Sequence, residues 1–277
     1  MTHLFGRKAK LLIGKPGNLS LSIENLRVKF SIQKTSESTA NSAIISVFNL
    51  NPLHRGMVEN EGLALNLQAG YTGIDGENPL IRSIYWGDIF RAATERQGPD
   101  IVTTFECKDG GQVLRRSSVN ISFKAGTTRS QVIDYLVQQM ASKYGLSYKK
   151  YSFSKDDQYV NGIALFGNTK DYLDTILPNL GLRWSIQDNE IFINDPETKD
   201  IPGAVLVSKN TGMIGIPVKR EKGLEVTSLL NPLIRPGKTI KVVSEQTSKL
   251  NGAYIVERAD YEGDTLEGDW TVKVEAL

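Results

Sequence analysis

Cysteine and histidine are nearly absent from this chain of 277 residues. The single cysteine, Cys107, has no partner for an internal disulfide and ends a strand-like run, so we predict a buried thiol. The two histidines, His3 and His54, have no companions at metal-ligand spacing. These shortages argue against a zinc site and a Cys–His nucleophile, and we predict no catalytic, metal-binding or cofactor-binding residues.

Long apolar runs and a dominant charge are also missing. No stretch approaches the ~18 apolar residues of a membrane span, and residues 1–8 lack the apolar core of a signal peptide. We therefore expect synthesis in a cytoplasm, without secretion and without a membrane span. The formal net charge of +2 gives no general attraction to nucleic acid. Three basic clusters are interpreted as solvated faces: Arg7/Lys8/Lys10, Lys149/Lys150/Lys155 and Lys219/Arg220/Lys222.

Patterns that carry enzymatic chemistry are missing or unspecific. Residues 108–111 lack the glycine spacing of a phosphate-binding loop, and Pro16 excludes a P-loop helix after Lys15, so both segments are predicted turns. The acidic pairs Glu59/Glu61 and Asp156/Asp157 could form a glycosidase dyad, but such pairs arise by chance in a chain with 31 acidic residues. The aromatic and basic residues 148–151 could stack on nucleic acid or sugar, but packing within the insert is the simpler explanation. The sequence therefore predicts no particular reaction.

The clearest pattern present lies at the C-terminal end of the chain. An apolar row alternates with a polar row there: Trp270, Val272, Val274 and Ala276 against Thr271, Lys273 and Glu275. Period two is typical of a strand with one buried face. Turn-favouring residues stand at 236–237, 251–252 and 262–264. Residues 223–277 are therefore predicted to form a compact antiparallel barrel or sandwich.

Strand-like segments also fill residues 9–107. Alternation is clear in 26–33 and 63–69, and the more apolar run 43–49 predicts a central strand. Asn51 followed by Pro52 predicts the start of one short helical turn. The hairpin that carries residues 85–88 and 105–106 is similar to the one that carries 254–256 and 274–275. This similarity suggests a duplicated β module, with generic hairpin chemistry as the alternative.

Between the two β regions the apolar residues recur at helical spacing. Thr128 and Gln131 fit a capping box, and the helix that follows is predicted to end at Gly145. A second helix is predicted from Asn168, with Pro178 in its last turn and Gly181 at its end. A short strand is predicted after each helix. Residues 195–222 are interpreted as a connector.

These patterns together predict a mainly β, α+β fold. Two antiparallel β-barrels are expected, with a small α+β insert between them. The expected boundaries are residues 1–110 for the first barrel, 111–200 for the insert with its two helix–strand units, and 201–277 for the connector and the second barrel.

The order of several phrases resembles a known family. The phrases are residues 105–111 at the end of the first β region, 119–123 and 124–128 before the first long helix, and 223–232, 235–240 and 251–256 in the last region. Over nearly the whole chain this order is similar to the baseplate hub proteins of phage tails. That family is the trimeric hub of contractile tails, related to type VI secretion spikes and to late-control proteins.

The resemblance implies a structural role without enzymatic activity. Each hub subunit is similar to two tail-tube barrels in one chain, so a homotrimer would present a ring of six. The implied partners are the tail tube protein, the central spike protein and other baseplate proteins. The genome would pass through the lumen without sequence-specific binding. The implied location is the tail baseplate of a virion, assembled in the host cytoplasm. The polar loops 73–79 and 262–269 are expected hairpin tips at contacts with neighbours.

Two alternatives stay open on the sequence. The chain has no evident lysozyme or spike domain, but its helix–strand units faintly resemble LysM-type units. A peptidoglycan-binding or peptidoglycan-hydrolysing tail-tip protein is therefore the alternative from another functional class. A minor protein of a non-contractile tail, with the same barrels, is the other.

Overall fold

The computed structural model describes residues 4–15, 18–60, 62–73, 79–153 and 156–277. The first β region begins the described chain with these elements: β1 (Arg7–Lys15), β2 (Asn18–Ile23), β3 (Val28–Thr35), β4 (Asn41–Phe48), α1 (Pro52–Val58), β5 (Ala64–Tyr71), β6 (Leu80–Gln97) and β7 (Asp100–Asp109). As predicted, Asn51 caps α1 by accepting the amide of His54, and Pro52 takes the first helical position. Strand β4 lies between β3 and β7 and is therefore internal, also as predicted.

The insert between the β regions combines helices with two small sheets. Its elements are α2 (Gly111–Arg116), β8 (Ser118–Phe123), α3 (Arg129–Tyr144), β9 (Ser147–Tyr148), β10 (Ile163–Asn168), α4 (Thr169–Ile176), β11 (Arg183–Gln187) and β12 (Glu190–Asn194). Strand β8 pairs with β10, and β12 pairs with both β11 and β9. The capping box of Thr128 and Gln131 and the left-handed Gly145 at the end of α3 are confirmed.

One helix ends earlier than predicted. Pro178 does not lie in the last turn of α4, which ends at Ile176, but begins a separate 3-10 turn at Pro178–Leu180. Proline has no N–H to donate the next helical hydrogen bond, so the α-helical pattern stops before Pro178 although Leu177 itself keeps helical backbone angles. Gly181 then reverses the chain in the left-handed conformation, at the position predicted.

The last β region contains more strands than the sequence predicted. It holds β13 (Val205–Ser208), β14 (Met213–Lys219), β15 (Leu224–Leu229), β16 (Thr239–Val243), β17 (Gly252–Asp264) and β18 (Trp270–Ala276). The interpretation of residues 195–222 as a connector is wrong, because β13 and β14 lie within it. Strand β13 is only four residues long, and Gly215 and Pro217 hide the alternation of β14, whose pairing register shifts between Ile214 and Val218.

The predicted turn at residues 262–264 is also wrong, since all three belong to β17. Gly263 serves close packing there rather than chain reversal. A Cβ atom at this position would lie 2.3 Å from Cζ of Phe30 and 2.7 Å from Cε3 of Trp270. These two rings meet edge to face over the glycine, with centroids 5.3 Å apart. The actual turn follows at residues 265–269.

A single sheet joins the two β regions. Strand β17 pairs antiparallel with β3, so that Tyr261 lies opposite Ile32 and Glu262 opposite Ser31. Among the described residues this gives a sheet of 13 strands whose main path runs β14-β15-β18-β17-β3-β4-β7-β6-β5-β1-β2. Buried apolar side chains of both regions form one cluster, and those of the insert form a second, between Val113 and Ile193. The predicted fold class, mainly β with an α+β insert, is confirmed.

Both β regions pair their strands in the same order. The first follows β3-β4-β7-β6-β5-β1, and the last follows β14-β15-β18-β17-β16-β13. In chain order the corresponding strands match one to one, with β2 and α1 as additions to the first region. One pairing differs, because β13 runs parallel to β16 whereas β1 runs antiparallel to β5.

The packing around Gly263 makes its replacement a test of the β17–β3 contact. We expect Gly263→Ala to lower the free energy of unfolding by about 1–3 kcal/mol, because the added methyl group must displace the Phe30 and Trp270 rings. Gly252→Ala on the same strand is the matched control. Its nearest neighbour would be Tyr254 at 3.4 Å, and we expect a change within about 0.5 kcal/mol. Urea unfolding of both variants measures the difference, and equal stabilities would contradict the packing described.

Candidate assembly surface

Eight consecutive strands of the sheet, from β14 to β6, expose one polar face. On β3 the side chains of Val28, Phe30 and Ile32 are buried, while Lys29 and Ser31 are exposed on the other side. The same alternation continues in β18, where Trp270 to Ala276 bury every second side chain as predicted. One side of these strands therefore covers the core, and the other side is a continuous solvent-facing surface, called here the polar face.

Charges of both signs interleave across the polar face. Its charged side chains include Lys29, Asp88, Arg91, Glu95, Glu106, Lys108, Glu225, Arg258, Asp260, Glu262, Lys273 and Glu275. Several of them pair with each other: Arg91 with Glu106 at 3.5 Å, Arg258 with Asp260 at 3.0 Å, and Lys273 with Glu225 at 3.1 Å. Such exposed pairs add little stability. Their effect is to leave no extended field of one sign on this surface.

The eight-strand segment has an unpaired strand edge at each end, as far as the described residues show. Strand β5 pairs with β6 only through residues 80–88, so the later half of β6 has β7 on one side and no strand on the other. Strand β14 ends the path at the opposite side. Both edges expose apolar side chains: Phe90 is 66% exposed, Ile216 49% and Val218 47%. Unpaired, partly apolar edges are the usual sites of strand addition.

A buried ion pair attaches the insert to this sheet. The side chain of Lys34 lies on the core side of β3 and is 0% exposed. Its Nζ lies 2.7 Å from Oδ2 of Asp188, which stands in the turn between β11 and β12. Asp188 and Asn189 both have positive φ, the backbone of a tight hairpin turn that Asn and Asp tolerate. The tip of this hairpin therefore lies against the core side of β3, the strand that carries Lys34.

Further polar contacts complete this seam, which we define as Lys34, Asn41, Asp109, Asp188 and Arg235. The buried carboxylate of Asp109 accepts the backbone N–H of Asp188 at 2.9 Å. Burial, reinforced by the nearby charge of Asp188, raises the pKa of Asp109 to about 7. Asn41 donates to the carbonyl of Ile186 at 2.9 Å, and Arg235 lies 3.7 Å from Asp188. The seam ties both β regions to the insert at one point.

The residues considered for chemistry in the sequence are dispersed. Cys107 is buried, as predicted, and burial raises the pKa of its thiol to about 12. His54 contacts its own cap, Asn51, and His3 lies outside the described residues. Among the described residues no group of three or more His, Cys, Asp or Glu side chains has the arrangement of a metal site.

The acidic and aromatic groupings take part in local structure. Asp156 accepts from the backbone and the hydroxyl of Ser130, at 2.9 and 2.6 Å. The hydroxyl of Tyr148 donates to Asp134 at 3.1 Å, and Lys150 lies 2.7 Å from the same carboxylate. Two predicted features lie partly outside the described residues: the pair Glu59/Glu61 through Glu61, and the loop 73–79 through residues 74–78. Lys155, of the second basic cluster, is also outside them.

The surfaces that matter here were only partly visible in the sequence. The polar rows of β3 and β18 were predicted, but the edge strand β14 lies in the stretch interpreted as a connector. Lys34 carried an unused signal, because it continues the apolar row of Val28, Phe30 and Ile32 and so falls on a buried face. No helix in the part of the chain that the structure describes has the length and hydropathy of a membrane span.

Comparison with known proteins agrees with this architecture. The model of a family described as baseplate hub gp41 matches residues 12–276. No curated protein sequence matches the chain. A solved tail protein from Neisseria meningitidis MC58 is similar in fold, with a TM-score of 0.66 and 9% identity over 98% of this chain and 96% of its own.

Two further solved structures share the fold. The 43 kDa tail protein of prophage MuSo2 from Shewanella oneidensis has a TM-score of 0.64 and 9% identity, covering 98% of each chain. The c3393 protein of E. coli, a component of the type VI secretion system, has a TM-score of 0.60 and 12% identity, over 96% of this chain and 76% of its own. At these identities the likeness concerns the fold alone.

The seam predicts a large loss of stability when its buried cation is removed. Lys34→Met keeps most of the side-chain volume but removes the buried cation beside Asp188 and Asp109, and it leaves Asp188 only the more distant, partly exposed Arg235. We therefore expect the free energy of unfolding to fall by about 3–5 kcal/mol. Lys29→Met on the exposed face of the same strand is the control, with an expected change within about 0.5 kcal/mol. Denaturant unfolding measures both, and a Lys34→Met variant as stable as the control would show that the seam does not hold the insert.

Proposed function

This chain belongs to the baseplate hub gp41 family, and we propose that it is the structural hub of a phage tail. Three copies form a ring that joins the tail tube to the central spike, with the polar face lining a channel for the genome. The observation that carries this proposal is the eight-strand segment with one polar face and one unpaired edge at each end. A sheet of that form can be continued by identical copies until it closes on itself.

The repeated strand order gives the reason for three copies. The segments 1–110 and 201–277 each supply four strands of the eight, as β3-β4-β7-β6 and β14-β15-β18-β17. Three chains then present six similar units, which fits a sixfold tube on one side and a threefold spike on the other. We assign these two segments as the tube-like units and residues 111–200 as the insert.

The seam supports a position of the insert outside the channel. Lys34, which binds the insert hairpin, projects from the core side of β3, whereas Ser31 and Gln33 project from the polar face. The insert therefore lies on the side of the sheet away from the polar face. In a ring whose lumen is lined by the polar face, this side is the outer wall, where other baseplate proteins can bind.

Passage of a genome requires a wall that does not hold DNA. Non-specific DNA binding comes mainly from uncompensated Lys and Arg side chains that release counterions from phosphates. On the polar face the basic side chains are interspersed with carboxylates, and Arg258 and Lys273 are paired with them. A conduit without sequence-specific binding is the function that this balance favours, in a protein of the virion tail baseplate that assembles in the host cytoplasm and has no enzymatic role.

The ring is tested by the mass of the assembled protein. We expect light scattering after size-exclusion chromatography to give the mass of three chains for the protein alone at high concentration. Alternatively, we expect a complex that contains three chains once the tail tube partner is present. Val218→Asp, which places a charge on the β14 edge, is expected to reduce that association, and Val160→Asp at an exposed site of the insert is the control. A monomer under all these conditions would refute the hub.

The channel wall is tested by reversing charges on the polar face. The variant Glu106→Lys, Glu262→Lys, Glu275→Lys is expected to bind a short DNA duplex more tightly than the parent, with an affinity that falls steeply with salt. Fluorescence anisotropy at several salt concentrations measures this. The control variant Asp157→Lys, Glu197→Lys, Glu245→Lys changes the net charge equally at exposed positions outside the eight strands of the face. Parent protein that binds the duplex as tightly as the face variant would contradict a non-adhesive wall.

A further inference from the structure

We propose that neighbouring copies are joined by a specific strand pair, in which the later half of β6 lies antiparallel to β14 of the next copy with Glu95 opposite Val218. This inference rests on the proposed ring. It names the interface and its register, which the ring alone leaves open. The contact between β17 and β3 already joins the two β regions within one chain, and the junction between copies is inferred to repeat it.

The first step is a β-bulge that both regions carry at the same place. In β6 the register against β7 shifts between Ile89 and Arg91, and in β17 the register against β18 shifts between Val256 and Arg258. Arg91 lies opposite Glu106, and Arg258 lies opposite Glu275. A bulge fixes strand register and is specific to its position. The shared bulge therefore aligns the two regions residue by residue, and four positions later Glu95 corresponds to Glu262.

The second step carries this alignment across the sheet. Ile44 lies opposite Glu106 in the first region, and Glu225 lies opposite Glu275 in the last. Beyond them, Ser31 lies opposite Ile44, and Val218 lies opposite Glu225. By strand register, Ser31 of β3 therefore corresponds to Val218 of β14.

The third step combines the two alignments. Within the chain, Glu262 of β17 faces Ser31 of β3. The equivalent of Glu262 is Glu95, on an edge without a partner strand in the described residues, and the equivalent of Ser31 is Val218, on the other such edge. If the junction between copies repeats the junction within a copy, Glu95 faces Val218 of the next copy.

The side chains on the two edges fit this pairing. Val218 is half-exposed in the free chain and would be covered by the new strand. Arg220, two residues further along on the same face, binds Glu225 of its own chain. Glu95 of the next copy comes within diagonal reach of this guanidinium, which has donors for a second carboxylate. Between Ile214 and Val218 the chain of β14 carries a bulge that includes Pro217, which has no N–H to offer. The pairing is therefore confined to the stretch from Val218 onward.

Paired cysteines test the register directly. In the variant Glu95→Cys, Val218→Cys we expect mild oxidation to link chains into species that run as dimers and trimers on a non-reducing gel, since facing residues of antiparallel strands lie within disulfide range. Ser31→Cys, Glu262→Cys has the same geometry inside one chain and is expected to oxidise without any change of chain mass. Arg91→Cys, Val218→Cys lies four residues out of register, about 14 Å along the strand, and should not link chains. Mass spectrometry of the linked peptides identifies the cysteines involved.

The outcomes separate this inference from the ring itself. A protein of trimer mass that links through the out-of-register pair, or through neither pair, overturns the junction and leaves the hub standing. Links between residues 95 and 218 that continue into ladders beyond three chains support the junction and overturn closure at three. A protein that neither associates nor links overturns both. The native Cys107 is buried, and linkage in the single variants Glu95→Cys or Val218→Cys would count against the assignment.

Discussion

The antiparallel contact between β17 and β3 is the constraint on which the rest of the structure depends. It places a strand from the end of the chain against one from the beginning and makes a single sheet of the two β regions. Tyr261 and Ile32 face each other in this contact and are both buried. The buried apolar side chains of both regions form one cluster, so each region completes the core of the other. The insert leaves this sheet after β7, and the chain rejoins the last β region at β13.

The seam explains how such an insert is held at a fixed angle. An apolar contact between two rigid bodies tolerates sliding, whereas a buried ion pair with several hydrogen bonds is satisfied in one geometry only. Lys34 and Asp188 have that character, since loss of Asp188 would leave the buried Lys34 without its salt-bridge partner, and loss of Lys34 would leave Asp188 only the more distant Arg235. The tight turn at Asp188 and Asn189 presents the carboxylate at the tip of a hairpin, where it can reach into the sheet. Orientation of the insert is thus coupled to the place where the two β regions meet.

Local patterns predicted those elements whose structure is decided locally. The alternation of β18, the capping box of α3 and the Asn51 cap of α1 all follow from residues a few positions apart. Strands β13 and β14 were not predicted. A four-residue strand and a strand with an internal bulge have too few uninterrupted alternating residues for the pattern to be recognised. Gly263 was mistaken for a turn residue, since nothing nearby in the sequence shows the rings that pack over it. The unpaired edges and the seam depend on which distant strands meet, and only Lys34, on an apolar row, hinted at either.

The internal and external strand contacts have different chemistry for a physical reason. The internal contact forms once, during folding, and can bury Tyr261, Ile32 and Gly263. In the proposed ring the outer edges stay unpaired until another folded copy arrives, and a fully apolar edge exposed for that time would pair with any strand it met. The edge residues are more polar than their internal equivalents. Thr94 of β6 is equivalent to Tyr261, Lys219 of β14 is equivalent to Ile32, and Pro217 interrupts the row of backbone donors on β14. In the proposed junction such an edge buries less apolar surface and is more selective, because only a partner in the right register covers Val218 and places Glu95 near the Arg220–Glu225 pair.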